Sequence, residues 1–139
     1  MKKVFADTHY WIALANPRDE WHDAAKLASG SLNSAQLITT DEVLGEFVNY
    51  FSASGADGRK YAVRYVRKIM DNPNVHIEPQ TREGFLTGID MYESREDKAY
   101  SRVDCIPMTA MLRFDITEVL THDHHFDQEG FTTLLRSKS

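Results

Sequence analysis

The chain has 139 residues, enough for one domain with a real hydrophobic core and too few for two of ordinary size. Its 42% hydrophobic and 27% charged residues, with few glycines and prolines, exclude a disordered or fibrous polymer. A net charge of −5 excludes a generally basic coat for nucleic acid, and a single cysteine, Cys105, excludes an internal disulfide.

No apolar run reaches membrane-spanning or signal-peptide length, so the expectation is a cytoplasmic protein with no membrane partner. Val4-Phe5-Ala6-Asp7 reads as a short buried strand ending in an acid. Tyr10 to Ala15 follows as a short apolar helix, interrupted by Asn16-Pro17. Pro17 to about Ser31 reads as a second helix with an apolar stripe of Trp21, Ala24, Ala25 and Leu27-Ala28. Gln36 to Thr39 is the next strand. Thr40 or Asp41 then caps a helix running to about Ser54, whose Val43, Leu44, Phe47, Val48 and Phe51 share one face. Glu46 stands at the border of that face.

Ser52 to Gly58 reads as a loop broken by Gly55 and Gly58. The helix after it, Arg59 to Asp71, is amphipathic and carries Lys60, Arg64, Arg67 and Lys68 at helical spacing. Val75 to Ile77 is a third strand. Pro79 to Arg95 reads as a helix with Phe85, Leu86, Ile89 and Met91-Tyr92 inward. An almost wholly apolar helix begins near Val103 or Asp104, because Pro107 is harmless only in a first turn. Glu118 to Thr121 is a fourth strand, His122 to Gly130 a loop, and Phe131 to Leu135 a closing strand. This alternation predicts an α/β fold: a single domain over residues 1–139 with a mainly parallel sheet of about five short strands between layers of helices.

Four acids occupy special places. Asp7 and Asp123 lie just past strand ends, where open α/β sheets bind ligands. Glu46 and Asp104 lie on helices that chain order can bring near those ends. Each has a plain structural role open to it, as a helix cap for Asp7, Asp104 and Asp123 or a solvated border residue for Glu46. Converging carboxylates raise one another's pKa unless a cation is present, and hard oxygen ligands suit Mg²⁺ or Mn²⁺. His122, His124 and His125 form a rival group for zinc, but neighbouring residues do not readily all face one ion. A loop with chance histidines is the simpler expectation. The basic stripe fits either contact with a phosphate backbone or a solvated helix face.

These segments resemble PIN-domain ribonucleases, and most closely the VapC-type toxins of toxin–antitoxin pairs. Asp7-Thr8 is similar to the family's opening acid and hydroxyl. The stretches Thr39 to Phe47, Ser101 to Cys105 and Leu120 to Phe126 resemble those bearing its other three acids. The resemblance implies a three-layer α/β/α PIN-like fold and a metal-dependent endoribonuclease, dimeric and restrained by an antitoxin. It implies Asp7 and Asp104 as direct metal ligands, with Glu46 and Asp123 completing the acidic pocket. Thr8 and Ser101 would be supporting hydroxyls. A catalytically silent PIN-like module that only binds protein is the competing expectation.

Overall fold

The computed structural model describes residues 1–136; the last three positions of the expected domain, 137–139, lie outside the described residues. Five strands form one sheet in the order β3-β2-β1-β4-β5, and every pairing is parallel. β1 (Lys3–Ala6) is central because Val4, Phe5 and Ala6 are apolar on both faces and fully buried. β2 (Gln36–Thr40) pairs with it as Phe5 beside Ile38, and β4 (Glu118–Leu120) pairs on the other side as Ala6 beside Leu120. β3 (Val75–Glu78) and β5 (Thr132–Thr133) are the edges. Chain order runs outward from β1 through β2 to β3, then crosses to β4. The strand order therefore switches direction between β1 and β4, and the crevice at their C-terminal ends is the natural ligand site of such a sheet.

The helices are α1 (Thr8–Ala15), α2 (His22–Ser31), α3 (Asp41–Tyr50), α4 (Gly55–Asp71), α5 (Arg82–Ser94), α6 (Arg102–Arg113) and α7 (His124–Gln128). Several differ from the sequence expectation, each for a local reason. The second helix begins at His22 rather than Pro17. Asn16 Oδ1 accepts the Arg18 N–H at 3.0 Å and Asp19 Oδ1 accepts the Trp21 N–H at 2.8 Å, so side chains hold this stretch in turns. Only Ala25 of its expected stripe is fully buried, and Leu27 is exposed. α3 starts where expected, with Thr40 Oγ1 accepting the Val43 N–H, and ends at Tyr50.

Neither Gly55 nor Gly58 keeps the chain out of helix: α4 opens at Gly55, whose φ is +75°, and runs through Gly58. A Cβ on Gly58 would lie 2.4 Å from the Ser54 Cβ, so glycine there serves close approach.

α5 starts later than expected, at Arg82, because Thr81 Oγ1 caps Gly84 at 2.9 Å. Its buried face is Gly84, Gly88 and Met91, while Leu86 and Tyr92 are exposed. Met91 faces inward as expected and Phe85 and Ile89 are half-buried, but the close approach to α6 is made at two glycines rather than at Leu86 or Tyr92. A Cβ on Gly88 would come within 2.6 Å of Ile106 Cγ1. In α6, Pro107 sits beyond the first turn, contrary to the expected start. The helix is started upstream by a reciprocal cap between Ser101 and Asp104, strong enough to carry a proline that cannot donate to the Val103 carbonyl. The expected loop 122–130 contains α7, capped by Asp123, and the closing strand is only Thr132–Thr133.

Candidate metal-binding active site

Asp7 occupies the N-cap position of α1, yet its carboxylate makes no cap hydrogen bond. It is 7% exposed and is held instead by the neighbouring strand: the Thr121 hydroxyl donates to its Oδ2 at 3.0 Å. The Thr121 oxygen also accepts the Asp123 N–H at 3.2 Å and lies 3.3 Å from His9 Nδ1. One buried hydroxyl at the end of β4 thus ties Asp7, His9 and Asp123 together. Nothing in the sequence analysis singled out Thr121; its position just past the strand end was the available signal.

Asp104 is both cap and site residue. Its Oδ2 accepts the Ser101 N–H at 3.0 Å while the Ser101 hydroxyl accepts the Asp104 N–H at 3.3 Å. The same Oδ2 lies 3.0 Å from His125 Nδ1. Ser101 therefore supports Asp104 by fixing the start of α6. Asp123 caps α7 through Oδ1, which accepts the His125 N–H at 2.9 Å and lies 3.5 Å from His125 Nδ1. One ligand atom each from Asp104, Asp123 and His125 falls within 4.8 Å of the others, a spacing that suits a single cation.

The histidines do not form the three-imidazole group weighed from the sequence: His124 is exposed at the start of α7, while His122 and His125 each meet partners from other elements. His125 sits between two acids. His122 stacks on Trp21 at 4.5 Å with planes 6° apart, and lies 4.6 Å from His9. His9 pairs with Asp7 at 3.5 Å. Its pKa is raised first by that hydrogen-bonding acid and further by the charges of Asp7, Asp123 and Glu46, against the opposing effect of burial. His9 and His125 were both missed as site residues.

Glu46 is half-buried on α3. Burial pushes its carboxyl up to about 7, and the nearby charges of Asp7 and Glu42 add to this, with His9 and Arg102 opposing. A cation beside Glu46 would offset both the burial and the neighbouring negative charge. Thr8 adds a second sign of fit. Its Oγ1, next to Asp7, is a buried side-chain polar atom without a hydrogen-bond partner among the described residues. Oxygen-rich donors, mutual repulsion and an orphan hydroxyl together suit a hydrated divalent ion.

The stripe of Lys60, Arg64, Arg67 and Lys68 stays apart from this cluster. All four are exposed on α4, and Lys60, Arg64 and Arg67 line a shallow groove with Arg59 and Val63. Cys105 is buried in the core, as its apolar setting predicts.

The chain belongs to the PIN domain family, whose profile spans residues 4–131. Among curated relatives it is similar to the 23S rRNA-specific endonuclease VapC20 of Mycobacterium tuberculosis. The two are 26% identical over 128 residues, which is 92% of this chain and 95% of that protein. The crystal structure of VapC20, described as a sarcin–ricin loop cleaving toxin, superposes with a TM-score of 0.82 at 26% identity. That match covers 93% of this chain and 96% of the other. A domain of a functionally unknown protein from Methanocaldococcus jannaschii shares the fold with a TM-score of 0.56 at 17% identity, over all of this chain and 94% of that domain.

Proposed function

We propose that this chain is a metal-dependent endoribonuclease, the toxin of a VapBC-type toxin–antitoxin pair, which hydrolyses phosphodiester bonds in single-stranded or looped RNA. The observation that carries this is the convergence of Asp104, Asp123 and His125 beside a buried Asp7 that is not spent on capping. Asp7, Glu46, Asp104 and Asp123 would hold Mg²⁺ or Mn²⁺, with His125 as a further donor. The bound ion supplies an activated water and stabilises the oxygen that leaves.

The chain's own groups prepare the site. Thr121 fixes the Asp7 carboxylate, and Ser101 fixes Asp104 through the α6 cap. Glu46, within reach of the Asp7 charge, would help position the ion or the attacking water. Thr8 would offer its unpartnered hydroxyl as a supporting hydrogen-bonding group beside Asp7. Lys60, Arg64, Arg67 and Lys68 track phosphates away from the cut. The same reading includes a cytoplasmic location and, as partners, a cognate antitoxin and a second copy of the chain; the toxin description of the similar VapC20 supports it. Among the described residues no helix is long and apolar enough to cross a membrane.

Purified wild type is expected to cleave a looped RNA with Mg²⁺ or Mn²⁺ and to stop when the metal is chelated. Asp7→Asn and Asp104→Asn should each lose about 100-fold or more in cleavage rate, and lose growth toxicity, with unchanged circular dichroism. Full activity in either variant overturns the assigned site. A wild type that binds a partner protein but cuts no RNA with any divalent metal favours the silent binding module.

A further inference from the structure

Resting on the nuclease reading above, we propose that Arg102 binds a phosphate of the RNA strand next to the one being cut, in a groove that leads away from Glu46. The groove has a volume of about 480 Å³ and is lined by Glu42, Glu46, Asn49, Gln80 and Arg102 among others. Its acids pose a problem for an RNA site. Glu42 and Glu46 line it and Asp7 is close enough to shift Glu46, so an approaching phosphodiester meets a negative wall. Arg102 is the one cation of that lining.

Its position is specific. Arg102 is the first residue of α6, two before Asp104, and its charge reaches Glu46. One guanidinium nitrogen, Nη1, donates to Glu42 Oε1 at 2.8 Å. Among the described residues Arg102 makes no other side-chain hydrogen bond, and its side chain is 47% exposed. A guanidinium has five N–H donors in a planar fork, so most remain for a phosphate, which this fork can grip at two oxygens. Glu42 holds the arginine across the groove between α3 and α6. The competing role for the pair is a clamp between those two helices and nothing more.

The two roles separate cleanly, because Arg102→Gln and Glu42→Gln each break the same ion pair but only the first removes the cation. Arg113→Gln, at the other end of α6, removes an equal charge away from the groove. Binding of a fluorescein-labelled RNA stem-loop is measured by anisotropy with a chelator present, over a range of salt. Arg102→Gln is expected to weaken binding about tenfold and to reduce the magnitude of the salt slope by about 0.7. It should raise KM for metal-supported cleavage far more than it lowers kcat. Arg102→Lys should recover part of the affinity as a point charge without the fork. Glu42→Gln, which frees the guanidinium and removes a competing carboxylate, should bind about two- to threefold tighter, and Arg113→Gln should change affinity less than about twofold.

Equal weakening in Arg102→Gln and Glu42→Gln overturns the proposal in favour of the clamp. An Arg102→Gln no weaker than Arg113→Gln overturns it too. Either result alongside a cleaving wild type leaves the nuclease reading intact, whereas a wild type that neither binds nor cuts RNA removes both.

Discussion

His125 places its Nδ1 3.0 Å from Oδ2 of Asp104, joining the start of α7 to the start of α6. The same Nδ1 lies 3.5 Å from Asp123 Oδ1, so this imidazole is in place to share an ion with both acids. His125→Ala should lower Mn²⁺ affinity about 10- to 100-fold, read by calorimetry, while the fold survives. Unchanged metal affinity together with a lower melting temperature would reduce the contact to a structural bridge.

Thr121 carries the same argument one layer deeper. Its hydroxyl is the hydrogen-bond donor to the buried Asp7 carboxylate and the acceptor for the Asp123 amide. Thr121→Val leaves both groups short of a partner and should cost about 1–3 kcal/mol in urea unfolding, with a parallel loss of cleavage. Thr121→Ser should restore most of each. A valine variant as stable and active as wild type would show that Asp7 needs no such anchor.

Gly88 tests the packing that brings α6, and hence Asp104, onto the sheet. A methyl there would stand 2.6 Å from Ile106 Cγ1 and 3.2 Å from the Ile106 Cα. The backbone contact leaves little room to relax, so Gly88→Ala should destabilise by about 1–3 kcal/mol. Gly45, on the exposed side of α3 with nothing within 4 Å of a Cβ, should behave oppositely. Gly45→Ala is expected to stabilise by about 0.4–1 kcal/mol. Denaturant midpoints of the two variants check both signs.

The Arg95 guanidinium grips Glu129 through Nη2 at 2.7 Å and Nε at 3.0 and 3.1 Å, and holds its carboxyl below the usual range. Tyr100 donates to the same carboxylate at 3.2 Å and packs its ring 5.4 Å from His125. Because the folded pKa is depressed, the pair contributes stability above the unfolded value of about 4.3 and loses it as pH falls through the folded value. Glu129→Gln should therefore be less stable than wild type at pH 7, and the gap should close below about pH 4. Urea midpoints across that range decide it; a gap independent of pH would point to lost packing instead.

The class of fold was legible because it rests on local patterning. Val4-Phe5-Ala6 reads as a strand buried on both faces, and Thr40 announces a helix start by chemistry that acts within three residues, whereas the Ser101 cap went unread and that helix was expected to begin at Val103 or Asp104. The acids were legible for the same reason: Asp7 and Asp123 follow strand ends whatever the rest of the chain does. Patterning failed where a contact from far along the chain, or an unusual side-chain bond, outweighed it. Gly84 and Gly88 are buried on α5 because α6 lies against them, so hydrophobicity found Met91 on that face but wrongly turned Leu86 and Tyr92 inward. The turns of residues 17–21 depend on two side-chain hydrogen bonds that compete with helix, and the helix holding Pro107 is opened by a cap at Ser101, six positions before it.

What each acid does was not a local matter either. Taken alone, Asp7 has the chemistry of a helix cap. Only the neighbouring strand, 114 positions later, takes its carboxylate off that duty through Thr121. Likewise the histidine-rich segment has no meaning until α6 and α7 meet and set His125 between Asp104 and Asp123. Sequence by itself determined which residue types stand at the strand ends and helix starts, because those preferences are properties of a few neighbouring residues. Tertiary structure decided which of them face one another, because charge repulsion, shared hydrogen bonds and metal coordination act across space between segments far apart along the chain.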